Sequence, residues 1–297
     1  MRAYAHDRFR FPLPDGHRFP LAKYGLVRAA LASDAAVTIL EAAPVGWDDV
    51  LLAHHPEWVR RVRYGLLDRR EQAGLGLPWS PALATRSLHA TGSTCAAARA
   101  ALDDGLAAAL GGGTHHARHR TGRGYCVLND IAIAIAMLRR EGRIGAVLVL
   151  DLDVHQGDGN SELLAPDPAT TVVSLHGARN YPFERVPSDL DVELPDGTAD
   201  GAYLAALDQA LDWALTGRRY ALAFLIAGAD PWEHDALGRL SLTESGLAAR
   251  DTRALAALRD AGIPICVTLA GGYGRPIEGT ARIHAQTIRL AATMCPC

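Results

Sequence analysis

The sequence predicts a single α/β domain with a central, mostly parallel sheet and helices on both faces. Short apolar segments of strand length alternate along the chain with longer segments of helical periodicity. This alternation is typical of parallel strands that are connected by helices. The chain has 297 residues, near the upper limit for one hydrophobic core, and contains no internal repeat or low-complexity linker. We therefore expect one domain that spans residues 1–297.

Two segments between these elements are predicted to be loops. The N-terminal segment up to Pro20 is interrupted by prolines, and residues 69–81 carry several glycines and prolines, as expected for a pocket rim. Ser241 and Glu244 have the spacing of a capping box, so a helix is expected to begin there. The predicted strands are 37–40, 106–110, 146–150, 170–175, 220–227 and 263–270, and the predicted helices are 24–31, 54–66, 87–102, 129–140, 199–216, 241–261 and 278–294.

Composition excludes several classes of protein. The net charge of -3 gives no basic footprint for direct binding of nucleic acid. No apolar stretch reaches the roughly 20 residues that span a bilayer, and the N-terminus lacks the apolar centre of a signal peptide. The five cysteines are odd in number and mostly far apart, which favours reduced thiols and a cytoplasmic location. Cys295 and Cys297 could bind metal or oxidise, but their terminal position favours a frayed tail.

The chemistry centres on residues 145–159, where a buried strand is followed by polar side chains. Asp151, Asp153 and His155 occur at every second position, so they project to one side of an extended backbone. A divalent metal would stabilise two carboxylates and an imidazole in such a place. Asp230 follows another strand and is the preferred third ligand, with Asp235 as a competitor. Three ligands leave a position open for a catalytic water, and either zinc or Fe(II) suits them. The alternative is a strand-end loop with solvated acids.

Other strand ends carry groups for proton transfer. His115 and His116 follow three glycines, and either could act as a general base, with Asp151 and Asp158 as candidate partners that fix the tautomers. Tyr273 lies in a glycine-rich turn and could stabilise an oxyanion. The alternatives are exposed histidines and an ordinary turn tyrosine. His176 also follows a predicted strand and is expected at the same edge of the sheet. His119 lies in a basic run and is expected to be a surface histidine without a catalytic role.

These residues together resemble the histone deacetylase superfamily, which has the arginase–deacetylase fold, over nearly the whole chain. The motifs that carry the resemblance are His17-Arg-Phe-Pro20, Gly113-Thr-His-His116, Gly124-Tyr-Cys-Val-Leu-Asn-Asp130, Asp151-Leu-Asp-Val-His-Gln-Gly-Asp158, Gly228-Ala-Asp230 and Gly271-Gly-Tyr273. Residues 174–183 and 271–275 are most similar to the class IV branch and its bacterial relatives. Gln156 stands where many relatives carry a second histidine.

The resemblance implies a role for each site residue. Zinc would be held by Asp153, His155 and Asp230. His116 would be the general base, paired with Asp158, and His115 would pair with Asp151. Tyr273 would polarise the scissile carbonyl. A structural potassium ion would lie near Asp151, Ser174 and the backbone carbonyls of Asp153, His155 and Leu175. The acyl-lysine tunnel is expected to involve Gly124, Tyr125, Tyr181, Gly271 and Gly272, and Tyr125 makes its wall more polar than in relatives.

We therefore expect a metal-dependent amidohydrolase that removes acetyl or another acyl group from lysine side chains or similar amines. Two alternatives remain at this point. One is a small-molecule hydrolase on the same scaffold, acting on acetylpolyamines or, with two metals, on a guanidino group. The other is a catalytically silent module that binds acylated partners. The sequence predicts neither the oligomeric state nor the acyl chain length.

Overall fold

Eight strands form the central sheet in the computed structural model, which describes residues 1–295. Their order is β2-β1-β3-β8-β7-β4-β5-β6, and every paired strand runs parallel to its neighbour. The predicted α/β class with a parallel sheet is confirmed. The strands are β1 (Arg2–Ala5), β2 (Thr38–Glu41), β3 (Leu106–Ala109), β4 (Val147–Asp151), β5 (Thr170–Gly177), β6 (Leu190–Leu194), β7 (Leu222–Ile226) and β8 (Ile265–Thr268).

Helices cover both faces of this sheet. The helices are α1 (Lys23–Leu31), α2 (Trp47–Val50), α3 (Pro56–Tyr64), α4 (Arg69–Leu75), α5 (Pro81–Asp104), α6 (Asp130–Arg140), α7 (Asp158–Leu164), α8 (Asp200–Leu215), α9 (Glu244–Asp260) and α10 (Ile277–Thr293). One apolar core packs under α1, α8, α9 and α10, and the other packs under α3, α5 and α6 on the opposite face. None of these helices has both the length and the apolar character needed to cross a membrane.

Strand β4 explains why the site forms where it does. Its five residues are all buried, and successive side chains enter opposite cores, Leu148 and Leu150 on one face and Val147 and Val149 on the other. Asp151, the last residue of β4, is aligned with Ser174 of β5 and with Ile226 of β7. The loops after β4 and β7 therefore start side by side at the carboxyl edge of the sheet, where ligand sites of such sheets lie.

Several local predictions are wrong. The predicted N-terminal loop contains β1, which is only four residues long and is stabilised by the distant partners β2 and β3. Residues 69–81 are not all loop, because Asp68 and Glu71 cap each other's backbone N–H groups and begin α4. Helix α9 is capped by Thr243 rather than by Ser241. Strand β6 and the short helices α2 and α7 were not predicted. The Cys295–Cys297 pair lies partly outside the described residues.

A buried histidine ties the segment before α6 to the rest of the domain. The Nε2 atom of His54 accepts a hydrogen bond from the Asn129 backbone N–H at 2.8 Å, and its Nδ1 lies 3.0 Å from the Arg118 carbonyl oxygen. The ring must therefore be neutral, with Nδ1 donating. Burial lowers the pKa of His54 from 6.5 to about 4.

The lowered pKa of His54 leads us to expect that the protein loses stability in acid. Because the unfolded chain binds more protons than the folded chain between pH 6.5 and about 4, the free energy of unfolding falls as pH falls through that range. We expect wild type to lose about 2–3 kcal/mol more than His54→Gln between pH 7 and pH ~4.5 in urea denaturation. The Gln side chain can donate from its amide NH2 group and accept through its carbonyl oxygen, but it does not titrate in this range. Equal losses in the two proteins would contradict the prediction.

Candidate metal and catalytic site

Three of the predicted site residues converge at the carboxyl edge of the sheet. Asp153 and His155 lie in the loop after β4, and Asp230 lies in the loop after β7. One ligand atom from each side chain lies within 4.8 Å of the others, and all three residues are buried. The Nδ1 atom of His155 is 2.9 Å from Asp153 Oδ1 and 3.3 Å from Asp230 Oδ2. These atoms form a small triangle that could hold a metal ion.

The electrostatics of this triangle fit a divalent cation. Burial and the neighbouring charge of Asp153 raise the pKa of Asp230 to about 7. Its Oδ2 atom is buried, with no hydrogen-bond partner among residues 1–295, although Oδ1 accepts from the Val154 N–H at 2.9 Å. Burial acts to lower the pKa of His155, but the two carboxylates raise it to about 10. A divalent cation would stabilise these two buried carboxylates together, and the donor set is one that zinc accepts.

The two adjacent histidines each contact a separate aspartate. His115 Nδ1 is 2.7 Å from Asp151 Oδ2, and His116 Nδ1 is 2.7 Å from Asp158 Oδ1. Burial acts to lower both pKa values. In His115 the charges of Asp151 and Asp153 outweigh the effect of burial and raise the pKa to about 9. In His116 burial combines with the charge of His115, and the pKa is lowered to about 4. With a pKa of about 4, His116 is neutral at pH 7. Because its Nδ1 donates to Asp158, its Nε2 is free to accept a proton.

The loop that carries these histidines is held by a residue that the sequence analysis missed as a site residue. Asp130 Oδ2 accepts from the Gly113 N–H at 2.9 Å, and its Oδ1 accepts from the Thr114 N–H at 2.8 Å. Gly112 has a positive φ of 76°, and a Cβ atom there would lie 2.6 Å from Asp130 Oδ2. An aspartate in the first turn of a helix is ordinarily explained by the helix dipole, so no sequence signal distinguished this role.

Tyr273 lies in a turn that is fixed by the rival ligand Asp235. Asp235 Oδ2 accepts from the Tyr273 N–H at 2.6 Å, and Oδ1 accepts from the backbone of Leu237 and Gly238. Asp235 is not part of the metal-binding triangle among the described residues. The Tyr273 and His155 rings lie 6.4 Å apart. Burial, followed by the charges of Asp230 and Asp153, raises the pKa of Tyr273 well above its usual value, so the phenol stays protonated and can donate a hydrogen bond.

Gly271 packs directly against the carboxylates of the two candidate aspartate ligands. A Cβ atom at this position would lie 2.0 Å from Asp230 Oδ2 and 2.6 Å from Asp153 Oδ2, while the Gly271 N–H donates to Asp153 Oδ2 at 2.8 Å. The backbone in this loop therefore approaches the triangle as closely as glycine allows.

We expect Gly271→Ala to weaken metal binding by about tenfold or more, because the added methyl must displace ligand oxygens. Titration of the metal-free variant with Zn²⁺ in a calorimeter measures this loss. Gly201→Ala in α8 is the matched control, since nothing lies within 4 Å of its added Cβ. Wild-type affinity in Gly271→Ala would show that the triangle is not where metal binds.

A cavity of about 640 Å³ opens over these groups. Asp153, His155, both histidines of the 115–116 pair and Tyr273 line it. Of the predicted tunnel residues, Gly124, Tyr125, Tyr181 and Gly271 line it as well. Gly272 is absent from the described lining, and a Cβ atom on it would instead meet Thr280 and His284 of α10. Lining residues that were not predicted include Phe11, Lys23 and Arg86, which lie outside the motifs. Phe19 and Leu128, which lie within two of the motifs but were not singled out, line the cavity as well.

Residues that the family resemblance assigns to a potassium site lie next to one another in β4 and β5. Asp151 is paired in register with Ser174 across β4 and β5, and Leu175 follows in β5. The Ser174 Oγ atom lies 2.9 Å from His176 Nδ1. His176 lies within β5 and is not part of the described cavity lining, because that strand continues to Gly177. The expectation that His176 reaches the site rim is therefore wrong.

A buried arginine, which was not predicted, links the two loops that carry the candidate metal ligands. Arg250 of α9 is fully buried and pairs with Asp251 at 2.7 Å. Its Nη1 atom donates to the Leu152 carbonyl at 3.2 Å and to the Gly228 carbonyl at 2.7 Å. Arg250 thus links the loop after β4 to the loop after β7, and helps to set the spacing of the ligands.

Comparison with known proteins places these observations in a family. A family model described as "Histone deacetylase domain" matches residues 16–290. An uncharacterized protein from Picosynechococcus sp. is 36% identical over 289 residues, which cover 96% of this chain and 96% of that protein. Histone deacetylase 2 from Arabidopsis thaliana is 30% identical over 287 residues, which cover 92% of this chain and 73% of that protein. A probable deacetylase from Archaeoglobus fulgidus is 28% identical, with coverages of 82% and 70%.

Solved structures show the same fold. The crystal structure of a histone deacetylase (HDAC) homologue complexed with SAHA matches with a TM-score of 0.80 at 23% identity, covering 98% of this chain and 83% of that chain. An HDAC homologue from Aquifex aeolicus matches with a TM-score of 0.78 at 22% identity, with the same coverages. The family-model match and the sequence relatives together show that this chain belongs to the histone deacetylase family.

Proposed function

We propose that this protein is a zinc-dependent amidohydrolase that removes acetyl or another acyl group from lysine side chains or similar amines, with Fe(II) as an alternative metal. Family membership supports a deacetylase-type hydrolase, and the family is generally metal-dependent. The observation that carries the proposal is the convergence of a buried Asp–His–Asp triangle, two His–Asp pairs and a protonated tyrosine at the closed end of one cavity. Asp153, His155, both histidines and the tyrosine line that cavity.

Each residue has a definite role in this proposal. Asp153, His155 and Asp230 hold the metal, which when bound supplies Lewis-acid activation of water and of the scissile carbonyl. His116 accepts the proton of the attacking water at Nε2 and later delivers it to the departing amine nitrogen. His115 is held by Asp151 and contributes positive charge beside the reacting atoms. Tyr273 donates a hydrogen bond to the carbonyl oxygen as negative charge develops there.

Two further assignments belong to the same proposal. Asp151, Ser174 and the backbone carbonyls of Asp153, His155 and Leu175 would bind a structural potassium ion. Gly124, Tyr125, Tyr181 and Gly271 would form the walls around the acyl chain and the amine stem, and Tyr181, whose ring is 4.9 Å from that of His116, would lie beside the reacting carbonyl.

Measurement of acetate release tests the proposal. Acyl-lysine peptides of increasing acyl length and acetylpolyamines are incubated with the enzyme, with and without chelator. We expect turnover of at least one acyl-lysine peptide, its loss with chelator and its recovery when zinc is added. Turnover of acetylpolyamines alone would favour the small-molecule hydrolase. Binding without any turnover by the metal-loaded protein would favour the silent binding module.

A further inference from the structure

The mouth of the cavity carries an excess of positive charge. Arg18, Arg179 and Arg239 line the cavity from three separate segments of the chain, and all three are exposed, so they lie at its opening. Asp153 is the one acidic residue in the described lining, and it is buried beside His155 at the closed end. Among the described lining residues, none at the mouth therefore carries a carboxylate that an incoming substrate would meet.

Local pairing does not cancel this charge. Arg179 and Arg239 share a single partner, Asp196, at 3.9 Å and 3.0 Å. Their side chains stay 78% and 55% exposed, so both guanidinium groups remain open to solvent and to a ligand. Arg18 lies close enough to Tyr125 for its charge to oppose the effect of burial, which raises the pKa of that phenol. The mouth is therefore cationic beside a wall that we assign to the tunnel.

The loops that carry two of these arginines are held together. Asn180, which follows Arg179, accepts a hydrogen bond from the Arg239 backbone N–H at 3.2 Å through Oδ1, and donates to the Leu237 carbonyl at 2.9 Å through Nδ2. The two arginines are thus fixed on one side of the opening by a buried asparagine. Phe183 lines the same opening and is 89% exposed. An aromatic ring so far out can contact only a substrate that extends beyond the tunnel.

We propose that the substrate is an acylated lysine flanked by acidic residues in a peptide segment, whose carboxylates bind Arg18, Arg179 and Arg239 while its chain contacts Phe183. The inference rests on the proposed hydrolase function and narrows its substrate class. A cationic mouth attracts acidic peptide segments. It repels basic segments and free acetylpolyamines, because the remaining ammonium groups of an acetylpolyamine would lie against the arginines.

Matched peptides test this inference. Capped peptides carry acetyl-lysine between two aspartates, two asparagines or two lysines, and kcat/KM and binding by fluorescence anisotropy are measured at ionic strengths of about 0.02 M and about 0.5 M. We expect the order acidic, neutral, basic, with at least about a tenfold difference between the extremes at low salt that shrinks at high salt. The combined variant Arg18→Gln/Arg179→Gln/Arg239→Gln should bring the ratio close to one. Arg253→Gln, the same change on a distant exposed ion pair with Asp208, should keep the wild-type ratio.

The outcomes separate this inference from the proposed function. Hydrolysis of the neutral peptide is sufficient to support the proposed hydrolase function. If that peptide is hydrolysed, a ratio near one between kcat/KM for the acidic and the basic peptide would overturn the charge preference. If no peptide is hydrolysed, the hydrolase proposal fails, and the binding order still decides the charge preference. A small-molecule arm compares α-blocked acetyl-lysine as a free carboxylate and as its amide. A preference confined to that carboxylate, with no order among the peptides, would overturn the peptide assignment.

Discussion

Asp230→Asn is expected to abolish metal binding and to lower turnover by more than about a hundredfold. Asparagine has the size of aspartate, and its Oδ1 can still accept from the Val154 N–H, but it lacks the charge that the cation needs. The fold should survive, because burial already raises the pKa of Asp230 to about 7, so a neutral side chain is tolerated at this position. Metal content by mass spectrometry, acetate release and thermal unfolding measure the three effects.

The control for this substitution is Asp208→Asn, which removes a carboxylate from an exposed ion pair with Arg253. It should leave metal content and turnover at the wild-type level. Asp230→Asn with one bound metal and wild-type turnover would exclude Asp230 as a ligand, and would leave Asp153 and His155 without the third ligand that the geometry assigns to them.

Tyr273→Phe is expected to lower kcat by roughly 10²–10³-fold while metal is retained. In the proposed mechanism the hydroxyl stabilises charge on the carbonyl oxygen, and its raised pKa keeps it protonated as a donor. Phenylalanine preserves the ring that packs 5.8 Å from Tyr125 and 6.4 Å from His155. Steady-state kinetics on an acetyl-lysine peptide, together with zinc content, measure the effect.

Tyr64→Phe, at a tyrosine that is 60% exposed on α3, supplies the comparison for loss of a phenolic hydroxyl elsewhere. Its kinetics should equal those of the wild type. Full activity in Tyr273→Phe would remove this tyrosine from the mechanism, and loss of metal from the variant would indicate a structural rather than a chemical role.

Sequence reasoning predicted the elements whose signal is local and strong. Strand β4 is buried on both faces, so its apolar run is continuous, and the polar residues that follow it are conspicuous. Strand β1 has four residues, and its position depends on pairing with β2 and β3, which a linear pattern does not contain. The helix at 69–75 was obscured by nearby glycines and prolines, although its capping box at Asp68 and Glu71 is a readable signal.

The residues of the candidate site also fall into a group that the sequence predicts and a group that it does not. Residues that follow strand ends could be predicted because parallel strands deliver their carboxyl ends to one edge of the sheet. Residues that act through tertiary contacts could not. Asp130 holds the loop that carries the two histidines, and Arg250 joins the two loops that carry the candidate ligands. Asp235 fixes the Tyr273 turn and lies outside the candidate metal-binding group of residues 1–295. Each has an ordinary local explanation in the sequence, as a helix-end residue, a helix-surface residue or a spare carboxylate.

Titration of the metal-free protein with Zn²⁺, with acetate release from an acetyl-lysine peptide as the readout, tests the central claim most directly. The account predicts no turnover without metal, a linear rise on addition and a plateau at one ion per chain, as expected for the single Asp–His–Asp group found in residues 1–295. A plateau at two ions would instead require a dinuclear site. Full turnover in the metal-free protein would contradict the proposed mechanism.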